Sequence, residues 1–173
     1  KAAESVGPGS GGLFMYPYGN GAERTLENNN PGAMVHNLNF NIHNQAHLFR
    51  AAQEGIIFAL QYGLEIIGEM GIGINTVKAG CANMFQSTLF SSIFANVCGK
   101  CVELYNTDGS QGAARGAGIG AGIYKEPEEA FAGLDKVKVI EPEEKLIMGY
   151  KEIYTEWRKD LSYRLESEKR KGE

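Results

Sequence analysis

The sequence predicts an α/β fold, a mixed sheet flanked by helices, and three observations carry that prediction. Residues 33–42 alternate, with Met34, His36, Leu38, Phe40 and Ile42 on one face and Val35, Asn37, Asn39 and Asn41 on the other, the period of a half-buried strand. From about Asn44 to Met70 the period changes. There Leu48, Ala52, Ile56, Ala59, Gly63, Ile67 and Met70 recur by four or three, with Arg50, Gln53, Glu54 and Glu65 elsewhere on the circumference, as in the longest helix of a core. Beyond it, residues 75–78 suit a buried strand, residues 79–83 are small enough for a tight turn, and Leu89, Ile93 and Val97 return to helical spacing.

Taken in order, residues 1–12 are Gly-rich and read as a connector. Residues 13–18 form a short aromatic edge strand, because Pro17 cannot donate to a ladder. Residues 19–32 are a polar loop, long enough that a compact domain keeps it for function or wraps it around another domain. Gly71 and Gly73 stop the long helix. Residues 101–105 are a second short strand and residues 106–109 a turn, so the order strand, helix, strand, helix, strand implies parallel crossovers. The strands near residues 34–40, 76–78 and 101–105 are expected in one sheet, the last two parallel, flanked by helices over 44–70 and 86–97. Residues 112–124 read as a helix whose glycines let it press against a neighbour, despite about 1 kcal/mol lost per interior Gly. Pro127 opens a further short helix. Leu146, Tyr150, Ile153, Trp157 and Leu161 mark an amphipathic helix over 142–165, and residues 166–173 are a polar tail expected to fray.

Composition narrows the function classes. A chain of 173 residues with 43% hydrophobic content buries one core, hence one domain. A net charge of −4, with no basic cluster beyond Lys169, Arg170 and Lys171, argues against a nucleic-acid partner. No apolar run reaches the roughly 20 residues that span a bilayer, so no membrane is expected and the compartment is read as cytoplasmic. Three cysteines without disulfide spacing suit a reducing environment. Cys98 and Cys101 form a lone C-x-x-C without a second pair, and His43 and His47 lack an intervening H-E-x-x-H glutamate. They read as packing or capping residues, and no metal site is expected.

The turn at 79–83 is where a flat, partly anionic ligand would fit, since small residues admit backbone contact and a helix N-terminus offers unpaired N–H groups. The same pattern also serves an ordinary strand-to-helix connection.

A resemblance sharpens this. Residues 12–25, Gly-Leu-Phe-Met-Tyr-Pro-Tyr-Gly-Asn-Gly-Ala-Glu-Arg-Thr, are similar to the Gly-Leu-x-Phe-x-Pro-Tyr-x-x-Gly-Glu-Arg-Thr stretch of the FGGY carbohydrate kinases, in particular their xylulose branch. Ala33, Val35, Asn37 and Leu38, followed by His47, Leu48, Ala51, Ala52, Gln53 and Glu54, resemble the family's second signature. Asn37 departs from a usual Gly, and Gln53 from an apolar residue. The resemblance, covering 12–165, implies an actin-like ATPase domain of ribonuclease H-like fold, the second of two, without its opening strands. The sheet would then have an edge covered by the N-terminal domain of the same protein or by a second copy in a homodimer. It implies ATP and Mg²⁺ as cofactors and a ketopentose substrate, D-xylulose giving xylulose 5-phosphate. The catalytic Asp and phosphate loops would lie upstream, so no catalytic residue is assigned here and the chain alone is expected to be inactive. The adenine-side wall falls on Ala79, Gly80, Cys81 and Asn83, with Ala79 in place of a family glycine. The alternative is a free-standing actin-like module that binds a nucleotide or sugar without catalysis, and gene length separates the two.

Overall fold

In the computed structural model, which describes residues 1–171 with the side chains of 168–171 excepted, two small sheets lie against a helical layer. Strands β1 (Phe14–Tyr18) and β2 (Gly32–His36) form an antiparallel hairpin. Helix α1 (Gln45–Glu69) follows, then β3 (Thr76–Gly80), α2 (Thr88–Cys98) and β4 (Cys101–Tyr105). Helix α3 (Gly109–Gly120), β5 (Lys136–Ile140) and α4 (Glu144–Lys171) complete the chain. The second sheet runs in the order β3-β4-β5, with β3 parallel and β5 antiparallel to β4, so it is mixed as expected.

Helix α1 begins where the sequence places it, because Asn44 caps it. The Asn44 side chain accepts from the N–H groups of Ala46 and His47, and the His47 ring accepts from the Asn44 N–H in return. Gly71, at φ +83°, ends the helix in the left-handed region that favours glycine. The buried face, however, is not the predicted stripe. Ile67 and Met70 are exposed, while Arg50, Ala51, Glu54, Gly55, Ile57 and Phe58 are buried. Two charges hid this face. Arg50 Nε donates to Glu54 Oε1 at 2.8 Å, and Glu54 also accepts from the Ser10 hydroxyl and the Gly9 N–H. Arg50 donates to Tyr150 Oη on α4 as well. Burial opposes the Arg50 charge, and Glu54 with Tyr150 outweighs it, leaving the guanidinium pKa raised. Residues 1–12 are therefore tied into the core at Ser10, which is fully buried. Gly55 is needed because a Cβ there would sit 2.2 Å from the Met15 carbonyl oxygen, so α1 lies directly on β1.

Four further expectations are corrected. The strand predicted over 33–42 ends at His36 and belongs to the hairpin, in a separate sheet from β3 and β4. Asn37 turns left-handed at φ +62°, and the Asn39 side chain and His43 ring then bond local N–H groups. These side chains compete with a ladder, and Phe40 is left 88% exposed. Not every crossover is parallel: only β3-α2-β4 is, while β5 returns antiparallel along the alternating Lys-Val-Lys-Val-Ile run that the sequence reading passed over. Helix α3 forms, but its glycines do not press on a neighbouring helix or sheet. A Cβ at Gly112, Gly116 or Gly120 would meet open space, and only Gly118 is close to anything, the Tyr124 ring. At the other end, α4 runs on to Lys171 through the segment expected to fray; Gly172 and Glu173 lie outside the described residues.

The core is aromatic and centres on Trp157 of α4, which stacks on Tyr16 at 5.2 Å between centroids and meets Phe58 and Tyr154. Its indole N–H donates to the Met15 carbonyl at 3.0 Å. One turn along, Asp160 accepts from the Tyr16 hydroxyl and from Arg164 and faces His36, joining α4 to both hairpin strands. Burial alone would raise the Asp160 pKa, yet Arg164, Tyr16 and His36 together hold it below the ordinary carboxylate range. Its contribution to stability is therefore complete above that range and is lost as pH falls through the lowered value. Urea midpoints measured from about pH 6 down to about pH 3 should fall, and Asp160→Asn should flatten that acid limb. Equal slopes in both proteins would remove Asp160 from the acid response.

Candidate functional site

The C-terminal ends of β3 and β4 lie side by side, and the loops leaving them build the site. Val77, Ala79 and Cys81 pack toward the core, as alternation along a strand requires. Gly80 faces the other way, where the β4–α3 loop crosses it: a Cβ at Gly80 would lie 2.4 Å from the Thr107 carbonyl oxygen and 3.4 Å from Asp108 Cα. Cys81 donates its N–H to the Tyr105 carbonyl at 2.7 Å, locking the two strand ends together. Asn83 turns left-handed at φ +50° and opens a short 3-10 turn, Asn83–Gln86. The chain therefore does not pass straight from turn to helix. Helix α2 starts only at Thr88, and its N-terminal Phe90 N–H is already taken by the Ser87 hydroxyl. The unpaired helix donors anticipated at 79–83 are not there.

Two clefts flank the Gly80–Thr107 crossing. One, of about 400 Å³, has an apolar floor of Ile56, Leu60, Met84 and Phe85, with Asn83 and Asp108 among its polar lining. The other, of about 490 Å³, is lined by Lys78, Tyr105, Thr107, Phe131 and Leu134. Ala79 and Gly80 line both. Of the four residues expected at the adenine side, Ala79, Gly80 and Asn83 meet in the first cleft. The Cys81 side chain turns inward and lines neither.

The chemistry on offer is recognition of a flat ring. The Asn83 amide makes no hydrogen bond within the described residues and is exposed, free to donate to and accept from a ring edge above an apolar floor. Asp108 is occupied otherwise: its carboxylate caps α3 by accepting from the Gln111 N–H and the Ser110 hydroxyl, and the Gln111 N–H foremost lowers its pKa. Among the described residues no three His, Cys, Asp or Glu side chains converge on one point. Beside the second cleft, Tyr105 and Lys136 both bond Glu103, and Lys136 chiefly depresses that carboxyl.

The other motif residues serve the fold. His43 is buried and bonded to the Gly11 carbonyl and the Asn39 N–H, and His47 completes the α1 cap. Cys98 and Cys101 are free thiols, and burial raises the Cys98 pKa. Sequence reasoning missed Thr107, Asp108 and the α1 residues Ile56 and Leu60. An Asp-Gly pair opening a run of small residues is an N-cap signal that marks Asp108 as the start of α3, without saying what the loop before it touches. Among the described residues, no helix is long and apolar enough to cross a membrane.

Comparison with known proteins gives one answer. Residues 1–123 match the model of the FGGY family of carbohydrate kinases, C-terminal domain. The chain is 30% identical over 181 residues to the xylulose kinase of Bacillus subtilis (strain 168), covering 96% of this chain and 35% of that one. It is 28% identical over 134 residues to the L-xylulose/3-keto-L-gulonate kinase of Escherichia coli (strain K12), covering 75% of this chain and 26% of the relative. Among solved structures, the ligand-bound xylulose kinase from Lactobacillus acidophilus superposes with a TM-score of 0.77 at 20% identity, over 94% of this chain and 33% of that one. The glycerol kinase of Plasmodium falciparum with ADP gives 0.70 at 21% identity, over 95% and 33%. The chain thus spans about a third of the length of the relatives named first, and its fold is the actin-like ATPase fold of these sugar kinases.

Proposed function

The chain belongs to the FGGY family of carbohydrate kinases, as its C-terminal domain, and from that premise we propose that it is the ATP-side part of a ketopentose kinase. The reaction transfers the γ-phosphoryl group of ATP to a sugar hydroxyl: the hydroxyl oxygen bonds phosphorus, ADP leaves, and a carboxylate outside this chain takes the proton. Xylulose is the sugar that the relatives' names share, and D-xylulose, giving xylulose 5-phosphate, is the substrate of this reading. The observation that carries the nucleotide side is the Asn83 amide, without a partner among the described residues, at the rim of an apolar cleft walled by Ala79 and Gly80. Adenine presents apolar faces and a polar edge, which this arrangement matches. Within this reading the chain's task is positioning, a large share of catalysis in phosphoryl transfer. Mg²⁺ travels with the ATP phosphates and would be held by the part of the enzyme outside this chain. The working partner is an N-terminal domain of the same polypeptide, in a cytoplasmic enzyme that is inactive as this chain alone.

Asn83→Ala in the full-length enzyme should raise the KM for ATP about fivefold, the effect of one hydrogen bond, and leave the KM for sugar unchanged. An unaltered ATP KM would take the cleft out of the active site, and turnover of a ketopentose panel identifies the sugar.

A further inference from the structure

The β4–α3 loop is the shared wall of the two clefts, and each of its residues has its own tether. The Asn106 side chain accepts from the Asp135 N–H and donates to the Gly133 carbonyl. Asp108 is fixed by capping α3. Thr107, the residue whose carbonyl rests on Gly80, donates its N–H to the Tyr105 carbonyl at 2.8 Å and its hydroxyl to the Asp108 carbonyl at 3.5 Å. Its hydroxyl also accepts from Arg115 Nη1 at 2.7 Å, the shortest of its bonds and the one that comes from outside the loop.

Arg115 is conspicuous. It is the one charged residue in α3, a helix otherwise built mostly of Gly and Ala that makes little contact with the rest of the fold. It is half-buried, and its single hydrogen bond within the described residues goes back to the loop from which its own helix springs. An arginine kept for solubility would extend into water. This one folds over the strand end and fixes the threonine that sets the distance between the β4–α3 loop and the end of β3.

We infer that Arg115 is a positioning residue for the nucleotide: through the Thr107 hydroxyl it holds the Thr107 carbonyl against Gly80, and so fixes the wall of the cleft that receives the base. The inference rests on the adenine-side reading of that cleft. Without the Arg115 bond, the Thr107 hydroxyl is left, within the described residues, with its 3.5 Å contact to the Asp108 carbonyl, and the loop between the Asn106 and Asp108 tethers rests less firmly on Gly80. The slot then widens, and a flat ring loses contact on one face while the sugar site is untouched.

The test uses the full-length enzyme with Arg115→Met, Thr107→Val, their double variant, Arg115→Lys and, in parallel, Asn83→Ala. Arg115→Met and Thr107→Val should each raise the KM for ATP about fivefold, the scale of one hydrogen bond, with the sugar KM unchanged. The double variant should be no worse than either single one, because both break the same link. Arg115→Lys, which retains a donor, should recover part of the effect. Melting temperatures should stay within about 2 °C of the parent. Several outcomes overturn the inference. A rise in Arg115→Met but not in Thr107→Val would mean that Arg115 touches the nucleotide directly. Additive effects in the double variant would mean two independent roles. A lowered melting temperature with an unchanged ATP KM would reduce the bond to a structural one. If Asn83→Ala raises the ATP KM while the Arg115 and Thr107 variants do not, this inference alone falls. If none of them does, the adenine-side reading falls and takes the inference with it.

Discussion

Glu54→Ala should destabilise the protein by about 3 to 5 kcal/mol, among the largest effects of any single substitution in this chain. The carboxylate accepts from Arg50, Ser10 and the Gly9 N–H and is 2% exposed, so its removal leaves a buried guanidinium whose remaining partner among the described residues is Tyr150. An unpaired buried charge costs far more than the net worth of the pair it came from. The matched control is Arg50→Met with Glu54→Leu. Removing both charges and refilling the space with apolar volume should recover most of the loss. Urea unfolding followed by circular dichroism reads both, and a double variant as unstable as Glu54→Ala would show that the hydrogen bonds to Ser10 and Gly9, not the charge, are what matters.

Gly80→Val should have the second large effect, on stability and nucleotide affinity together. A branched side chain on the adenine-side wall would occupy the space of the ring. The structure adds a backbone collision, because any Cβ at this position meets the Thr107 carbonyl at 2.4 Å. Backbone cannot rotate away as a side chain does, so the β4–α3 loop must move, at a cost of about 1 to 3 kcal/mol. In the full-length enzyme the ATP KM should rise tenfold or more with the sugar KM unchanged, since the displaced loop is the cleft wall. A lower melting temperature accompanied by a normal ATP KM would assign Gly80 to the fold alone.

How much of this was legible in the sequence depended on whether a local signal agreed with the tertiary one. Helix α1 was, because the Asn44 cap, the apolar period and Gly71 point the same way. Its buried face was not, because Arg50 and Glu54 read as solvent-facing until their pairing is known, and pairing with Ser10 and Tyr150 is long-range. Residues 37–42 keep the strand period but lose the strand, since Asn37 turns left-handed and the Asn39 side chain and His43 ring satisfy local backbone groups that a ladder would need. At the site, the resemblance singled out Gly80 and Asn83. The inward turn of Cys81 was available from parity, because it follows Val77 and Ala79 by steps of two. Thr107 and Arg115 were beyond reach, as nothing in the sequence says that the β4–α3 loop crosses the end of β3.

The aromatic cluster around Trp157 has a spectroscopic consequence. This is the only tryptophan in the chain, and it sits where β1, α1 and α4 meet, wedged among Tyr16, Phe58 and Tyr154 with its indole N–H bonded to Met15. Its emission therefore monitors the docking of α4 onto the hairpin and α1. The β3-β4-β5 sheet contains no tryptophan, so loosening of the strands that carry the clefts would pass unseen in that signal. A fluorescence melt of this protein reports the half that holds the chain together, α1 with the cleft floor included, and is blind to a local loosening of the strand ends that wall the clefts.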